Sequence, residues 1–368
     1  MNSELASRIR VLLLIPHLGT GGAQHVIATL ACHLDLEKCE VHLVLLTQST
    51  GAVPEFPEAT HVYCLGAKRA RYSAPRLVAL ARRLRPHLVF AGMAHLAPLV
   101  LLLRFFLPTR TRFILRQNGS LPGCGQQRSL CRTITSAGYK RADAVICQTQ
   151  ATAEEVRRRF QINPTRIHVL PNPVDIQRIR DISCPSRITD PYLLAVGRLV
   201  PEKGFDLLLD AFAALEGDFP TLRLFVAGTG RCRAALEFQS RLLGLSHRVV
   251  FLGDVSDPPR YFGDARAFTL SSREDELPNA LLEAAAAGLP IIATPASAGL
   301  STLLTGQPGI WLAEGASTIS LEAVLRTALN SIAPNQRFAH HWIERFGLSP
   351  AVAAYEQLFE EVVCGVSN

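Results

Sequence analysis

Residues 265–294 hold the pattern that most restricts how this chain can fold, because two apolar runs enclose one short helix-forming run. In chain order the pattern is an apolar strand, an acidic loop, a helix and a second apolar strand, at residues 265–270, 271–277, 279–287 and 291–293. Pro278 suits the first helical position, and Gly288 suits the left-handed position after the last helical residue. Strand, helix and strand in immediate succession predict a βαβ unit and therefore a parallel sheet.

The amino-terminal residues predict a second sheet of the same kind. Residues 9–15 form a nearly continuous apolar run, which is typical of a central parallel strand buried on both faces. A signal peptide fits less well, since the run is short, lacks a small-residue cleavage pattern and leads into a glycine turn. Gly21 and Gly22 precede a helical pattern and a strand at 41–46, as at the start of a Rossmann-like half. The backbone amides of the two glycines can approach a phosphate, although a tight turn alone would also use them.

Two basic side chains follow the strand expected at 192–196. Gly197 and Arg198 come directly after it, and Lys203 lies five residues beyond Arg198 across a turn. Both side chains can converge on one anion, Arg198 as a planar fork and Lys203 as a compact point charge. The helix that begins near 279 also offers backbone N–H groups to an anion. This pattern indicates a site for a phosphate-containing ligand, with a solvated basic turn as the alternative.

A second glycine-rich turn does not indicate a dinucleotide site. Gly228 and Gly230 follow an apolar strand at 222–227, but Arg233 stands where a dinucleotide-binding fingerprint has its third glycine. We interpret the turn as the end of a strand and not as an NAD site.

These motifs resemble those of the retaining glycosyltransferases of family 4, which have the GT-B fold. The resemblance rests on four segments: the Gly-Gly-Ala-Gln loop at 21–24, the Pro-Asn-x-Val-Asp turn at 171–175, the Gly-Arg-Leu-x-x-x-Lys-Gly turn at 197–204, and the acidic loop and helix at 275–290. It extends from about residue 9 to about residue 359. It implies an α/β protein of two Rossmann-like domains whose parallel sheets face each other across a cleft.

The resemblance also implies a division of the chain. A length of 368 residues exceeds what one hydrophobic core usually supports, which agrees with two domains. The expected parts are an acceptor-side domain at 1–178, a donor-side domain at 186–345, and a last helix within 346–368 that crosses back to the first domain. Periodicity fades at 176–190, so we place the linker there.

The implied activity is transfer of a sugar from a UDP- or GDP-linked donor, with retention of anomeric configuration. The catalytic residues implied by the resemblance are Arg198, Lys203 and Asp275. The donor-binding residues implied by it are Gly21, Gly22, Asn118, Gly197, Val255, Glu274, Leu277, Pro278, Asn279 and Glu283. Fixed positive groups can stabilise the leaving diphosphate, and the sequence has no Asp-x-Asp motif, so we expect neither a metal nor another cofactor.

Four positions depart from the family pattern: Asp275, Asn118, and Pro173 and Glu276, which stand where the family has glycines. Asp275 stands where the family has the first of two Glu residues, and Glu283 stands at the second, eight positions later. A shift of one residue would give the first role to Glu274, so this assignment stays open. Asn118 stands where the family often has a His that contacts the donor sugar. An amide can hydrogen-bond a hydroxyl, but it cannot serve as an acid or a base.

The net charge of +7 is unevenly distributed. Residues 59–142 contain fifteen Lys and Arg but no Asp or Glu, whereas the rest of the chain has a net charge of −8. This asymmetry indicates an anionic partner, either the acceptor or the membrane that carries it. The apolar run 95–107 is too short to span a bilayer, so it is either a buried helix or a helix on an anionic membrane surface. Aromatic residues in the basic stretch are sparse, so we expect no nucleic-acid partner.

The preferred hypothesis is a glycosyltransferase that modifies a glycan or lipid-linked acceptor during cell-envelope polysaccharide assembly. A nucleotide-sugar 2-epimerase of the same architecture is one alternative, although Asn118 weakens it. A non-catalytic module that binds anions or membranes is another. The nine cysteines are scattered and form no C-x-x-C pair, which favours a reducing cytoplasm, with peripheral attachment to the inner face of the membrane left open.

Overall fold

The computed structural model describes residues 8–19, 21–49, 55–119, 129–183 and 191–365. Within these ranges the strands are β1 Ile9–Ile15, β2 Cys39–Leu45, β3 His61–Cys64, β4 Leu88–Ala91, β5 Arg112–Arg116, β6 Ala144–Cys147, β7 Ile167–Val169, β8 Tyr192–Val196, β9 Arg223–Ala227, β10 Val249–Gly253, β11 Ala265–Leu270, β12 Ile291–Ala293 and β13 Ile310–Leu312. The helices are α1 Gly22–His33, α2 Ala74–Leu84, α3 Ala97–Phe106, α4 Ser129–Arg141, α5 Gln150–Phe160, α6 Ile176–Ile182, α7 Phe205–Ala213, α8 Arg233–Leu242, α9 Asn279–Ala286, α10 Ala298–Leu304, α11 Thr318–Ser331 and α12 Leu348–Cys364. Strands and helices alternate along most of the chain, which makes it an α/β protein.

The chain divides into two compact units. The first unit comprises residues 1–173 and 348–368, and the second comprises residues 174–347. Helix α12 therefore belongs to the first unit, where Tyr355 and Phe359 pack against Phe90 of β4 with ring centroids 6.0 and 5.7 Å apart. The division falls a few residues before the expected domain end at 178.

The first unit is built on a seven-stranded parallel sheet in the order β3-β2-β1-β4-β5-β6-β7. Residues 11–15 of the central strand β1 are fully buried, because helices cover both faces of the sheet. One face packs against α2, α3, α4 and α5, and the other packs against α1 and α12. The expected buried strand at 9–15 is confirmed.

The second unit is built on a six-stranded parallel sheet in the order β10-β9-β8-β11-β12-β13. Helices α9 and α10 contribute to the core on one face, and α7, α8 and α11 contribute to the core on the other. The predicted βαβ unit is confirmed as β11, α9 and β12, and β11 pairs in parallel with β12. In both units the strand numbering reverses beside one central strand, which defines a topological switch point between β1 and β4 and another between β8 and β11.

Two sequence-based expectations need correction, and one strand was missed. The proposed linker at 176–190 begins with α6, whose Ile176 and Ile179 are buried in the core of the second unit. Seven residues are too few to display a clear helical period, which is why the sequence pattern there looked featureless. Pro278 is the N-cap of α9 with extended backbone angles, one position before the expected first helical position. The edge strand β3 was not anticipated, because it is short and mostly exposed.

Helices α2 and α3 lie in the middle of the basic stretch at 59–142. Val100 and Leu103 are buried against the sheet, whereas Phe105 is 72% exposed and Phe106 is 43% exposed. Helix α3 is therefore buried along one side and exposed at its carboxyl end. Of the helices described, none has both the length and the apolar composition that crossing a membrane requires.

Candidate functional site

The candidate site lies at the switch point of the second unit, where β8 and β11 are parallel neighbours. Both strands end at the same edge of the sheet, so the loops that follow them meet there. The hydroxyl of Ser271 donates to the Lys203 carbonyl at 2.9 Å, and the Arg273 amide donates to the Glu202 carbonyl at 2.8 Å. The fold thereby places the basic turn at 197–204 against the acidic loop at 271–277.

Glycine is required at two positions because backbone segments approach closely. Gly204 has φ +62°, and a Cβ atom on it would lie 2.0 Å from the Ser271 carbonyl oxygen. Gly228 has φ +137°, and its Cβ would lie 1.9 Å from the Gly197 carbonyl oxygen. Any other side chain would therefore both strain the turn and push the neighbouring loop away. The glycines at this edge serve the close packing of the loops that carry the charged residues.

Lys203 and Asp275 form an ion pair between the two loops. The Lys203 ammonium contacts the Asp275 carboxylate, and both side chains are mostly buried, at 19% and 15% exposure. Arg198, which precedes this turn, is exposed, and no side-chain hydrogen bond or ion pair links it to another part of the chain that the structure describes. The site therefore contains one cation held by a carboxylate and a second cation that faces solvent.

The three consecutive acidic residues of the loop point into different surroundings. Glu274 is exposed, Asp275 contacts Lys203, and Glu276 is 6% exposed. Asp275 is thus the acidic residue that lies beside the proposed diphosphate-binding cation, and Glu274 does not contact Lys203 in the structure. Gly197, the other donor-binding candidate in this region, donates its amide to the Ala227 carbonyl at the end of β9.

The amino end of α9 forms another part of the same edge. Leu277 and Pro278 are buried and anchor the loop, and the helix begins at Asn279. The amides of Leu281 and Leu282 donate to the Pro278 carbonyl, so the first turn is regular. The positive end of the helix dipole consequently points out of the helix beside the acidic loop. Gly288, with φ +74°, takes the left-handed conformation after the end of α9, as expected.

Glu283 of α9 lies near the ion pair formed by Arg178 and Asp257. Burial, and to a lesser extent the nearby Asp257 carboxylate, raises the pKa of Glu283 to about 7, and Arg178 opposes this shift. Arg178 itself is paired with Asp257 at 2.9 Å. A carboxyl group with such a pKa changes its charge near neutrality, so its ability to accept hydrogen bonds from hydroxyls depends on pH. Val255 lies partly buried in the loop that precedes Asp257.

The remaining candidates lie in the first unit, at the carboxyl ends of β1 and β5. Gly21 is the N-cap of α1, with extended backbone angles, and Gly22 is its first residue. The Asn118 amide nitrogen donates to the Gly92 carbonyl at 3.1 Å, whereas its buried Oδ1 accepts no hydrogen bond from the described residues. Asn118 therefore has one buried acceptor atom without a hydrogen-bond partner among the described residues.

Comparison with known families assigns both halves of the chain. A model described as glycosyltransferase family 4 matches residues 20–178, and one described as glycosyl transferases group 1 matches residues 190–330. The chain is a family 4 glycosyltransferase. Its two parallel-sheet Rossmann-like units match the GT-B fold expected from the sequence.

Two relatives of this glycosyltransferase are named for transfer to a diphospho-undecaprenol-linked acceptor and for lipopolysaccharide core biosynthesis. It is 26% identical over 307 residues to the N-acetylgalactosamine-N,N'-diacetylbacillosaminyl-diphospho-undecaprenol 4-alpha-N-acetylgalactosaminyltransferase of Campylobacter jejuni, covering 79% of this chain and 82% of that protein. It is 28% identical over 176 residues to the lipopolysaccharide core biosynthesis glycosyltransferase LpsE of Rhizobium meliloti, covering 47% of this chain and half of that protein.

Solved structures have the same fold as this glycosyltransferase. Anabaena HepE in complex with UDP-glucose superposes with a TM-score of 0.77 at 17% identity, covering 97% of this chain and all of that one. The sucrose-phosphate synthase of Thermosynechococcus elongatus gives a TM-score of 0.78 at 17% identity with the same coverage. At these identities the likeness concerns the fold.

Sequence reasoning missed the residues that hold the acidic loop of the glycosyltransferase in place. Arg273 forms two hydrogen bonds of 2.7 and 2.6 Å with Asp206 of α7, and this bonding lowers the pKa of Asp206. Thr294, which is fully buried after β12, donates to the Ser272 carbonyl at 2.5 Å. The available signal was position alone: Thr294 directly follows the predicted strand at 291–293, and Asp206 lies two residues after the basic turn at 197–204.

Proposed function

We propose that this glycosyltransferase moves a sugar from a UDP- or GDP-linked donor to a glycan or lipid-linked acceptor in cell-envelope polysaccharide assembly. The observation that carries the proposal is the Lys203–Asp275 pair at the β8–β11 switch point, with Arg198 beside it. The named activities of the relatives from Campylobacter and Rhizobium support this acceptor class, and HepE, which has the same fold, binds UDP-glucose.

Lys203 and Arg198 have the central catalytic role in this proposal. As the bond between the sugar and the diphosphate breaks, negative charge accumulates on the leaving diphosphate. Arg198, Lys203 and the backbone amides at the start of α9 provide fixed positive charge and donors for it. These groups can stabilise the leaving diphosphate without a metal ion. A Cβ at Gly197 would meet no protein atom closer than 3.6 Å, so the missing side chain leaves space beside the backbone for the diphosphate.

The acidic residues have a positioning role. Asp275 accepts hydrogen bonds from hydroxyls of the donor sugar after the diphosphate has replaced it as the partner of Lys203. Glu283 accepts hydrogen bonds from the ribose hydroxyls. Glu274, Leu277, Pro278 and Asn279 shape the loop around the sugar and phosphate, and backbone groups near Val255 contact the base. The anomeric configuration is retained by attack on the face from which the diphosphate leaves, and the departing phosphate accepts the proton of the acceptor hydroxyl. No protein nucleophile is needed.

In the first unit, we propose that the Gly21–Gly22 loop contacts the donor diphosphate at the amino end of α1. Asn118 would accept a hydrogen bond from a donor hydroxyl through its unengaged Oδ1. The basic residues of 59–142 would hold the anionic acceptor or the membrane that carries it.

A thermal-shift screen against UDP-, GDP- and ADP-sugars would identify the donor. Transfer and donor hydrolysis should then be measured in Arg198→Ala and Lys203→Ala, with Arg241→Ala, an exposed arginine of α8, as the control. Loss of one charge-assisted hydrogen bond of about 1.5–3 kcal/mol predicts a drop in kcat/KM of about 10- to 150-fold for each site variant. Activity near that of the control in both variants would refute the diphosphate assignment.

The attachment to a membrane is proposed for the face formed by α2 and the carboxyl end of α3. Phe105 and Phe106 are exposed there, and the Arg82 guanidinium lies 5.5 Å from the centroid of the Phe106 ring. Arg76 and Arg83 are exposed on α2. Aromatic side chains beside arginines fit a surface of anionic lipid headgroups, which attracts each basic residue by about 1 kcal/mol.

Cosedimentation with vesicles tests this attachment. The wild type should bind vesicles that contain anionic lipid and not vesicles of neutral lipid alone. Phe105→Ser should weaken binding, whereas Phe238→Ser, which removes a 55% exposed phenylalanine from the second unit, should not. If both variants bind vesicles as well as the wild type does, the protein attaches through another surface. If the wild type does not bind anionic vesicles, the protein has no such attachment.

A further inference from the structure

Three potential metal ligands lie together in the first unit, away from the glycosyltransfer site. Glu40 and His42 are two residues apart on β2, so their side chains project from the same face of the sheet. His61, the first residue of β3, pairs directly with His42 across the two strands. Glu40 and His61 stand at the amino ends of their strands and His42 stands in the middle of β2, whereas the Gly21–Gly22 loop follows the carboxyl end of β1.

The side-chain atoms of this group are close enough to share one ion. The donor atoms of Glu40, His42 and His61 all lie within 4.8 Å of one another. Glu40 Oε1 is 3.1 Å from His42 Nε2, and the two imidazole rings have centroids 5.1 Å apart. The hydroxyl of Tyr63 lies 3.5 Å from His42 Nδ1 and can orient the ring from its other side.

We propose that Glu40, His42 and His61 bind a divalent transition-metal ion, with zinc as the best fit. Two imidazole nitrogens and one carboxylate oxygen form a donor set that suits zinc, cobalt or nickel and leaves a position for water. Ligand bonds of about 2.0–2.2 Å place tetrahedral ligands roughly 3.3 Å apart, so the side chains need to move by little more than 1 Å. His42 is 2% exposed, whereas His61 is exposed, so the ion reaches the site from solvent.

Arg10 is a nearby cation, since it stands opposite Glu40 in the register of β1 and β2. Its positive charge repels a bound metal ion and so opposes binding. Its guanidinium is directed elsewhere: Nε donates to the Arg85 carbonyl at 3.1 Å, and Nη2 lies 3.2 Å from His87 Nε2. Arg10 therefore weakens the site electrostatically without occupying the position of the ion.

The bound ion would have a structural role. Strand β3 is four residues long and forms the edge of the seven-stranded sheet, with mostly exposed side chains. A metal bridging β2 and β3 would fix their register and hold the edge strand in place. Because an ion that binds only the folded state stabilises it, thermal stability should rise with metal concentration.

The test uses the tag-free, full-length protein after removal of metal with a chelator. Cobalt should give the visible absorption of a four-coordinate complex at one equivalent, and zinc should displace it and raise Tm. His61→Ala and Glu40→Gln should weaken zinc binding by about tenfold or more, whereas His247→Ala, which removes an exposed histidine of the second unit, should not.

Two results would overturn the proposal. One is the absence of any cobalt spectrum and zinc-dependent Tm shift in the wild type, and the other is unchanged zinc affinity in both site variants. His61 and Glu40 are the informative positions because neither is fully buried, so the variants should fold even if a His42 variant does not. Zinc should not be required for sugar transfer, so activity in chelator separates this site from the proposed transfer mechanism.

Discussion

Gly204→Ala is the substitution that most directly tests how the basic turn is held against the acidic loop. Gly204 follows Lys203 and has φ +62°. A Cβ at this position would lie 2.0 Å from the Ser271 carbonyl oxygen, in the segment that leads to Asp275. The substitution should therefore separate the two halves of the proposed diphosphate site without removing any charged group.

The magnitude follows from two separate costs. A left-handed conformation costs a non-glycine residue about 1–2 kcal/mol. A carbon and a carbonyl oxygen approach to about 3.3 Å at closest, so the loops must move apart by more than 1 Å, which costs about 1–3 kcal/mol as an overpacked contact does. A displacement of about 1 Å at a reacting centre lowers the rate by about 100-fold.

Gly244→Ala is the matched control, because Gly244 has φ +71° but no atom within 4 Å of its Cβ position. It should show the conformational cost alone, equivalent to a Tm decrease of about 2–4 °C for each kcal/mol in a unit of this size. Gly204→Ala should show a larger decrease in Tm and, in addition, a fall of about 100-fold in kcat/KM for transfer. If the two variants have the same Tm and the same activity, the close packing of the loops is not needed for the site.

Two further predictions concern the acidic residues. Because the pKa of Glu283 is raised to about 7, nucleotide-sugar affinity should increase as its carboxyl group ionises between about pH 6 and about pH 8, and Glu283→Gln should flatten that profile in titration calorimetry. Asp275→Asn should have opposite effects on two measurements, since it frees Lys203 for a nucleoside diphosphate but removes a ligand of the sugar. Diphosphate affinity should rise while kcat for transfer falls, and a parallel loss of both would contradict the proposed exchange of partners by Lys203.

Much of the fold could be predicted because burial leaves a strong pattern. Parallel strands covered on both faces become apolar runs, as in β1 and β11, and helix boundaries at Gly288 follow from local backbone preferences. Strand β3 and helix α6 escaped prediction because four and seven residues are too few to show a period. Their positions depend on partners distant in the chain, such as β2 for β3, and not on their own sequence.

The sequence predicted which residues form the candidate site, but it did not predict which of their side chains contact each other. The spacing of Arg198 and Lys203 indicated an anion site, and the spacing to Glu283 favoured Asp275 but left Glu274 open. The structure separates them because the loop is fixed by contacts with other segments, including Arg273 with Asp206 of α7. Which of two adjacent carboxylates faces inward depends on such long-range contacts, and a single sequence does not record them.

The Lys203–Asp275 pair also gives a reason for an acidic side chain next to the proposed diphosphate-binding cation. A mostly buried lysine without a partner would bear a desolvation penalty, and Asp275 removes that penalty in the absence of ligand. In the proposed mechanism, a diphosphate competes with Asp275 for Lys203, so part of its binding energy is used to release the carboxyl group of Asp275. The released group can then accept hydrogen bonds from hydroxyls of the sugar. A single exchange of partners by Lys203 would thus couple diphosphate binding to positioning of the sugar, which neither residue could achieve alone.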